Sequence, residues 1–156
     1  MKEVIWVYGT SGSGKETFIK SLLVTSDLKK AFQLDNKTLV ASEESLRNLG
    51  QLDNSRSSIL EEVANLIRTN DVVVIKWQYG DTLLNSPNVL YERFPNLKHV
   101  VIRLNVEADE QTQRLKTKSW WTDNGKESEF IEKEISLVES SIKALNPAFD
   151  IFRHNW

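Results

Sequence analysis

The chain has no cysteine among its 156 residues, which excludes a disulfide framework and a thiolate metal site and fits a reducing compartment. No stretch approaches the roughly 20 consecutive apolar residues of a membrane-spanning helix. The N-terminus lacks the pattern of a signal peptide. A cytoplasmic protein without membrane association is therefore expected. There is no large excess of charge of either sign. A net charge of −2 argues against coating nucleic acid by bulk electrostatics, though it leaves a local basic groove open. No internal repeat, low-complexity tract or linker interrupts the chain. Its length suits one domain, residues 1–156, with a substantial core. Nothing implies an obligate protein partner. The five tryptophans are many for this length.

Apolar runs alternate with amphipathic stretches, the pattern of an α/β domain with a mainly parallel sheet. Strands are expected at Val4–Tyr8, Leu39–Ala41, Val72–Ile75, His99–Leu104 and Phe149–Phe152. The apolar run at Val72–Ile75 reads as a strand buried on both faces. Helices are expected from about Lys15 to Leu23 and from about Glu107 to Thr117. Ile59, Leu60, Val63, Leu66 and Ile67 define another, with Ser58 and Glu61 as its capping box. A long helix carries Ile131, Ile135, Val138, Ile142 and Leu145 on one face, and Asn146-Pro147 stops it. The segment Lys118–Lys126 is a polar, aromatic loop holding Trp120 and Trp121, which suits a mobile lid better than a core.

Between the first strand and the first helix lies Gly9-Thr10-Ser11-Gly12-Ser13-Gly14-Lys15-Glu16-Thr17. Strand, glycine-rich loop and helix form the context of a phosphate-binding loop. Its glycines let successive N–H groups turn toward a phosphate, and the helix N-terminus adds partial positive charge. Lys15 supplies full charge for the β- and γ-phosphates. The next residue in such loops is Ser or Thr, whose hydroxyl binds Mg²⁺; here it is Glu16.

With these residues the chain resembles the P-loop kinases of the adenylate kinase and nucleotide kinase superfamily, whose motif is often G-x-x-G-x-G-K-G-T. Gly9, Gly12, Gly14, Lys15 and Thr17 match it. Some phage-type deoxynucleotide kinases are similar in carrying an acid at the position of Glu16. The resemblance implies a three-layer α/β/α fold, a five-stranded parallel sheet of order 2-3-1-4-5 and a short lid at about residues 116–127. It also implies ATP and Mg²⁺ as cofactors, an ATP site at Gly9, Gly12, Ser13, Gly14, Lys15, Glu16 and Thr17, and contact of Thr17 with the α-phosphate. The family's helix after the last strand is absent here, and His154, Asn155 and Trp156 stand where its adenine loop would begin.

Val106–Leu115 resembles the stretch that leads into the family's lid. There an arginine lies over the adenine and a basic residue four positions on reaches the phosphates. Arg114 and Lys118 hold those positions, and their spacing puts them on one helix face. The competing reading is a solvated basic helix end favoured by the helix dipole. Ser42–Arg47 follows the second strand. In nucleotide kinases its arginine holds the acceptor phosphate; in polynucleotide kinases its acid takes the hydroxyl proton. Glu44 and Arg47 are the candidates here, beside the plainer reading of a helix start with acids in its first turn.

The third strand of the family ends in an aspartate near Mg²⁺, whereas here it runs into Lys76. Glu16 and Lys76 are expected to pair across the site, with Glu16 a metal ligand directly or through water, or with Lys76 touching the moving phosphoryl group. The rival reading is loss of metal binding and activity. Lys76, Trp77, Gln78 and Tyr79 are the candidate acceptor-binding run. Trp77 and Tyr79 suit base stacking or the core, and Gln78 suits a base edge. Asp81 is an alternative base. The phosphate-binding arginine that adenylate kinases place past this strand is missing. The function implied is transfer of the ATP γ-phosphoryl group to a nucleoside or nucleoside monophosphate, with Lys15, Glu44, Arg114 and Lys118 as catalytic residues. The alternatives are a DNA-acting kinase for a 5′-hydroxyl or a hydroxymethylated pyrimidine, and a non-catalytic ATP-binding module.

Overall fold

The computed structural model describes residues 1–47, 58–79 and 86–156. Five strands form one parallel sheet: β1 (Glu3–Tyr8), β2 (Leu39–Ala41), β3 (Val72–Trp77), β4 (Lys98–Asn105) and β5 (Asp150–Asn155). Their order is β2-β3-β1-β4-β5, the order expected. Crossover helices link them: α1 (Lys15–Val24), α2 (Ser26–Ala31), α3 (Glu43–Arg47), α4 (Ser58–Leu66), α5 (Pro87–Arg93), α6 (Ala108–Lys116) and α7 (Glu127–Lys143).

Side chains alternate between the faces of each strand, so the central strands feed two cores. Val4, Trp6, Tyr8, Val73, Ile75, Trp77 and Val101 pack with Ile59 and Val63 of α4, Leu90 of α5, and Val138 and Ile142 of α7. Ile5, Val7, Val74, Ile102 and Leu104 pack with Phe18, Ile19 and Leu22 of α1. β1 is buried along its whole length because it is covered on both faces. Tyr8 is in register with Trp77 on one side and with Arg103 on the other. The residues that follow β1 and β3 therefore emerge together at the carboxyl edge of the sheet, the usual ligand-binding edge of open α/β folds.

Several elements exceed the sequence expectations. β3 continues through Lys76 and Trp77, and β5 begins after Phe149 and reaches Asn155. Pairing explains the polar end of β5: Arg153, His154 and Asn155 lie opposite Arg103, Leu104 and Asn105. An edge strand does not need an apolar residue at every inward position. α3 is the helix start that the plainer reading of Ser42–Arg47 offered, whereas two short helices, α2 and α5, were not expected. The last has a readable signal, because Ser86 accepts a hydrogen bond from the Val89 N–H at 3.2 Å and Pro87 opens the helix. The Ser58 capping box falls on a side chain outside those described. No helix among the described residues is long and apolar enough to cross a membrane.

An ionic bridge ties α7 to the sheet edge. Glu139 accepts from Arg103 Nε at 3.2 Å and from both terminal nitrogens of Arg153 at 2.8 Å. The hydrogen bonds from Arg153 come first in holding the Glu139 carboxyl down at about 2. A depressed carboxyl stabilises the fold above its ordinary value of 4.5 and loses that contribution as pH falls towards 2.

Candidate functional site

The glycine-rich loop wraps from the end of β1 into α1. Gly12 and Gly14 have φ of 78° and 83°, the left-handed region where a side chain is strained. Space is restricted as well. A Cβ on Gly12 would lie 3.1 Å from Cβ of Arg114, and one on Gly14 would lie 2.8 Å from Nε1 of Trp156. Ser13 is buried, its N–H donates to Thr10 O at 3.1 Å, and its hydroxyl has no partner among the described residues. Glu16 and Thr17 are exposed in the first turn of α1.

Lys15 turns back onto the loop, donating to Gly9 O at 2.8 Å and Thr10 O at 3.0 Å. Burial, then the charge of Lys76, lowers its pKa to about 7, with Lys118 and Arg103 adding to the fall and Glu134 opposing it. Bound phosphates would restore the charged form. ATP binding is accordingly expected to take up a proton, and affinity to fall by up to about tenfold per pH unit as pH rises from 7 towards 10.5. Calorimetry at pH 8 in two buffers of different protonation enthalpy checks this, and zero proton uptake contradicts it. The sign for the free protein is opposite. The penalty for burying a charged Lys15 is complete below about pH 7 and fades as pH rises to 10.5.

Arg114 lies against the loop, donating from Nη1 to Gly12 O at 3.0 Å and from Nε to Glu110 at 2.9 Å. Lys118, exposed just past α6, is near enough to depress the pKa of both Lys15 and Lys76. Glu16 and Lys76 do meet, with Lys76 Nζ 4.0 Å from Oε2 of Glu16, which also faces Lys20 at 3.4 Å. Among the described residues no cluster of three or more acids or histidines forms a metal cage. Mg²⁺ in phosphoryl-transfer sites is commonly held by one or two carboxylates with substrate phosphates and water. The half-exposed Glu16 beside the phosphate loop fits that limited role.

The acceptor-binding run divides. Trp77 is only 4% exposed and packs edge-on against Trp6 with ring centroids 5.2 Å apart. It belongs to the core, one of the two readings its sequence allowed, which corrects its place in the candidate acceptor-binding run: the strand alternation turns it inward. Gln78, half-buried, stays at the site, whereas Tyr79 packs in part against the same core cluster as Trp77. Glu44 and Arg47 pair with each other at 3.3 Å on α3, and Arg47 also reaches Glu43. α3 joins the site through Ser45, whose hydroxyl accepts from the Lys76 N–H at 3.0 Å. Asp81 lies outside the described residues. Trp120 is 57% exposed, while Trp121 packs on Phe130 of α7 at 4.9 Å and donates to Glu127 at 3.1 Å.

The structure adds residues that the sequence reading missed. Glu134 of α7, 2% exposed, reaches the loop and accepts from Ser11 N at 3.1 Å, Ser11 Oγ at 2.9 Å and Gln78 Nε2 at 2.5 Å. A signal existed: Glu134 occupies the apolar phase between Ile131 and Val138, where a solvated acid has no place. Gln111 of α6, also buried, accepts from the Thr10 hydroxyl at 3.2 Å. Trp156 follows β5 and packs edge-on against Phe18 at 5.3 Å. A cavity of about 560 Å³ lies elsewhere, between α4 and α5, lined by Leu60, Ala64, Val89 and Phe94.

The sheet order, the loop and its flanking helices define the P-loop kinase α/β fold. No protein-family model and no curated protein matches the chain. Solved structures do. An unliganded sugar kinase from Janibacter sp. HTCC2649 is 16% identical with a TM-score of 0.56, over 99% of this chain and 86% of that one. A tunicamycin resistance protein from Deinococcus radiodurans is 15% identical with a TM-score of 0.55, over 94% and 86%. A shikimate kinase from Acinetobacter baumannii, in complex with shikimate, is 12% identical with a TM-score of 0.52, over 100% and 86%. At such identities the likeness is one of fold.

Proposed function

We propose that the chain is an ATP-dependent phosphotransferase of one domain, moving the γ-phosphoryl group to a nucleoside or nucleoside monophosphate. The observation that carries the reading is the convergence of Lys15, Arg114, Lys76 and Lys118 on one glycine-rich loop at the carboxyl edge of the sheet. Phosphoryl transfer needs positioning and charge neutralisation more than covalent chemistry, and this cluster supplies both. The loop N–H groups and Lys15 hold the β- and γ-phosphates, and Thr17 faces the α-phosphate. Arg114 and Lys118 cover the phosphates from the other side, with residues 116–127 as the lid. Glu16 would be the protein ligand of a Mg²⁺ carried by the nucleotide, which would supply charge neutralisation at the phosphates. Arg47 serves an acceptor phosphate, and Glu44 an acceptor hydroxyl. The fold neighbours named as sugar and shikimate kinases support the reaction class.

A second reading, nucleotide binding without turnover, is favoured by the ammonium of Lys76 beside Glu16, where it competes with a metal ion. Transfer of labelled γ-phosphate from ATP to nucleosides, monophosphates and 5′-hydroxyl oligonucleotides separates the readings. Label is expected in the nucleosides or monophosphates. Label confined to oligonucleotides replaces this reading with the DNA-acting one, and ATP binding without any transfer leaves the binding module.

A further inference from the structure

Resting on the phosphotransfer reading, we infer that Glu134 and Gln78, in place of Glu44 and Arg47, form the acceptor site, and that the acceptor is a hydroxyl compound uncharged where it reacts. Ser11 lies at the end of the loop opposite Thr17 and the start of α1. It therefore borders the γ-phosphoryl end of a nucleotide on the loop. Two separate elements bring polar groups to it. α7 supplies the Glu134 carboxylate, accepting from the Ser11 N–H and hydroxyl at 3.1 and 2.9 Å. The chain after β3 supplies the Gln78 amide, donating to Ser11 Oγ at 3.0 Å and to Glu134 at 2.5 Å.

A buried carboxylate at that end repels a phosphate and does not bind one. Its useful partner is a donor, and a hydroxyl both donates and accepts. A hydroxyl inserted between Gln78 and Glu134 accepts from the amide and donates to the carboxylate, replacing their direct contact. Gln78 and Ser11 are half-buried, so the pair is reached from the mouth of the loop once Gln78 swings aside. Of the cations nearby, three face other groups in the free protein: Lys15 the Gly9 and Thr10 carbonyls, Arg114 Gly12 and Glu110, Lys76 Glu16, while Lys118 is exposed past α6. Arg47 is paired with the acids of α3. In the reaction the acceptor oxygen forms the new bond to the γ-phosphorus. The bond to the β,γ-bridging oxygen breaks, and that oxygen leaves with the electron pair on ADP. The hydroxyl proton passes to Glu134 and then to water.

The test uses the full chain, labelled ATP, and four probes: thymidine and glucose as uncharged acceptors, dTMP and AMP as phosphomonoesters. Transfer is expected to thymidine or glucose and not to the monophosphates. Glu134→Gln is expected to lower kcat by about 10²–10⁴-fold and to leave the KM for ATP no higher. Gln78→Ala, which changes no residue of α7, is expected to raise the acceptor KM about tenfold and reads the same pair should Glu134→Gln not fold. Preferred transfer to dTMP or AMP overturns the inference, as does a wild-type kcat in Glu134→Gln. A fall in kcat joined to a raised ATP KM and a lower melting temperature also overturns it, because that marks a structural role. ATP binding with transfer to no acceptor overturns the phosphotransfer reading itself.

Discussion

Replacing Lys15 by methionine is expected to lower ATP turnover by about 10³-fold, comparable to removing one preorganised group that faces developing charge, without loss of stability. The two halves of this result have one cause. The ammonium is held on two carbonyls inside the loop, 7% exposed, with burial as the main reason its pKa falls to about 7. In the free protein it is a cation in an unfavourable place, compensated only in part by its hydrogen bonds. Methionine keeps most of the apolar stem and removes the charge. The variant is therefore expected to melt at or above the temperature of the parent while its turnover collapses. Urea unfolding and an ATP-turnover assay on the same preparation check both. A variant that loses several degrees together with activity shows Lys15 acting as a structural anchor.

Replacing Trp77 by alanine has the largest expected effect on stability, about 3–5 kcal/mol by comparison with other large-to-small changes in cores. Trp77 is 4% exposed and meets Trp6 edge-on, within the cluster that joins α4, α5 and α7 to the sheet. Phenylalanine keeps an aromatic ring against Trp6. It also removes a buried indole N–H that has no partner among the described residues, so it is expected to cost much less than alanine. Neither change is expected to alter the KM for an acceptor once the protein is folded. A tenfold rise in acceptor KM for Trp77→Phe at unchanged stability returns this residue to the rim of the site.

Much of the architecture is legible in the chain because it is written in local patterns. The apolar run Val72–Ile75 is a central strand, and the helical spacing of Ile131, Val138 and Ile142 marks one buried face of α7. The glycine loop announces itself through spacing that only a strand–turn–helix accommodates. α2 and α3 are less legible, being one or two turns long with no sustained apolar stripe. The end of β5 is also hidden, because pairing with β4 rather than hydrophobicity continues it.

The candidate site follows the same division. Lys15, Gly12, Gly14 and Glu16 are neighbours in sequence, and their arrangement is set by a few backbone angles. The pairing of Glu16 with Lys76 was legible through the resemblance, since the position after the loop lysine and the end of the third strand face each other in that fold. Trp77, Gln78 and Tyr79 are adjacent, yet the alternation of the strand turns Trp77 and, in part, Tyr79 onto the core and leaves Gln78 facing Ser11 and Glu134. A one-residue difference in where β3 ends decides which of them meets a ligand, and the sequence marks strand ends poorly.

The sequence by itself determined the α/β class, the glycine-rich loop between strand and helix and the charge that Lys15 brings to it, because each depends on contacts within about one strand–turn–helix unit. Only the tertiary structure decided what faces that loop. Arg114 is 102 residues from Gly12 and Glu134 is 123 residues from Ser11. Those separations close only when β4 pairs with β1 and α7 packs across the sheet. An acid in the apolar phase of α7 has a ready explanation only once the loop N–H and hydroxyl it accepts from are in place.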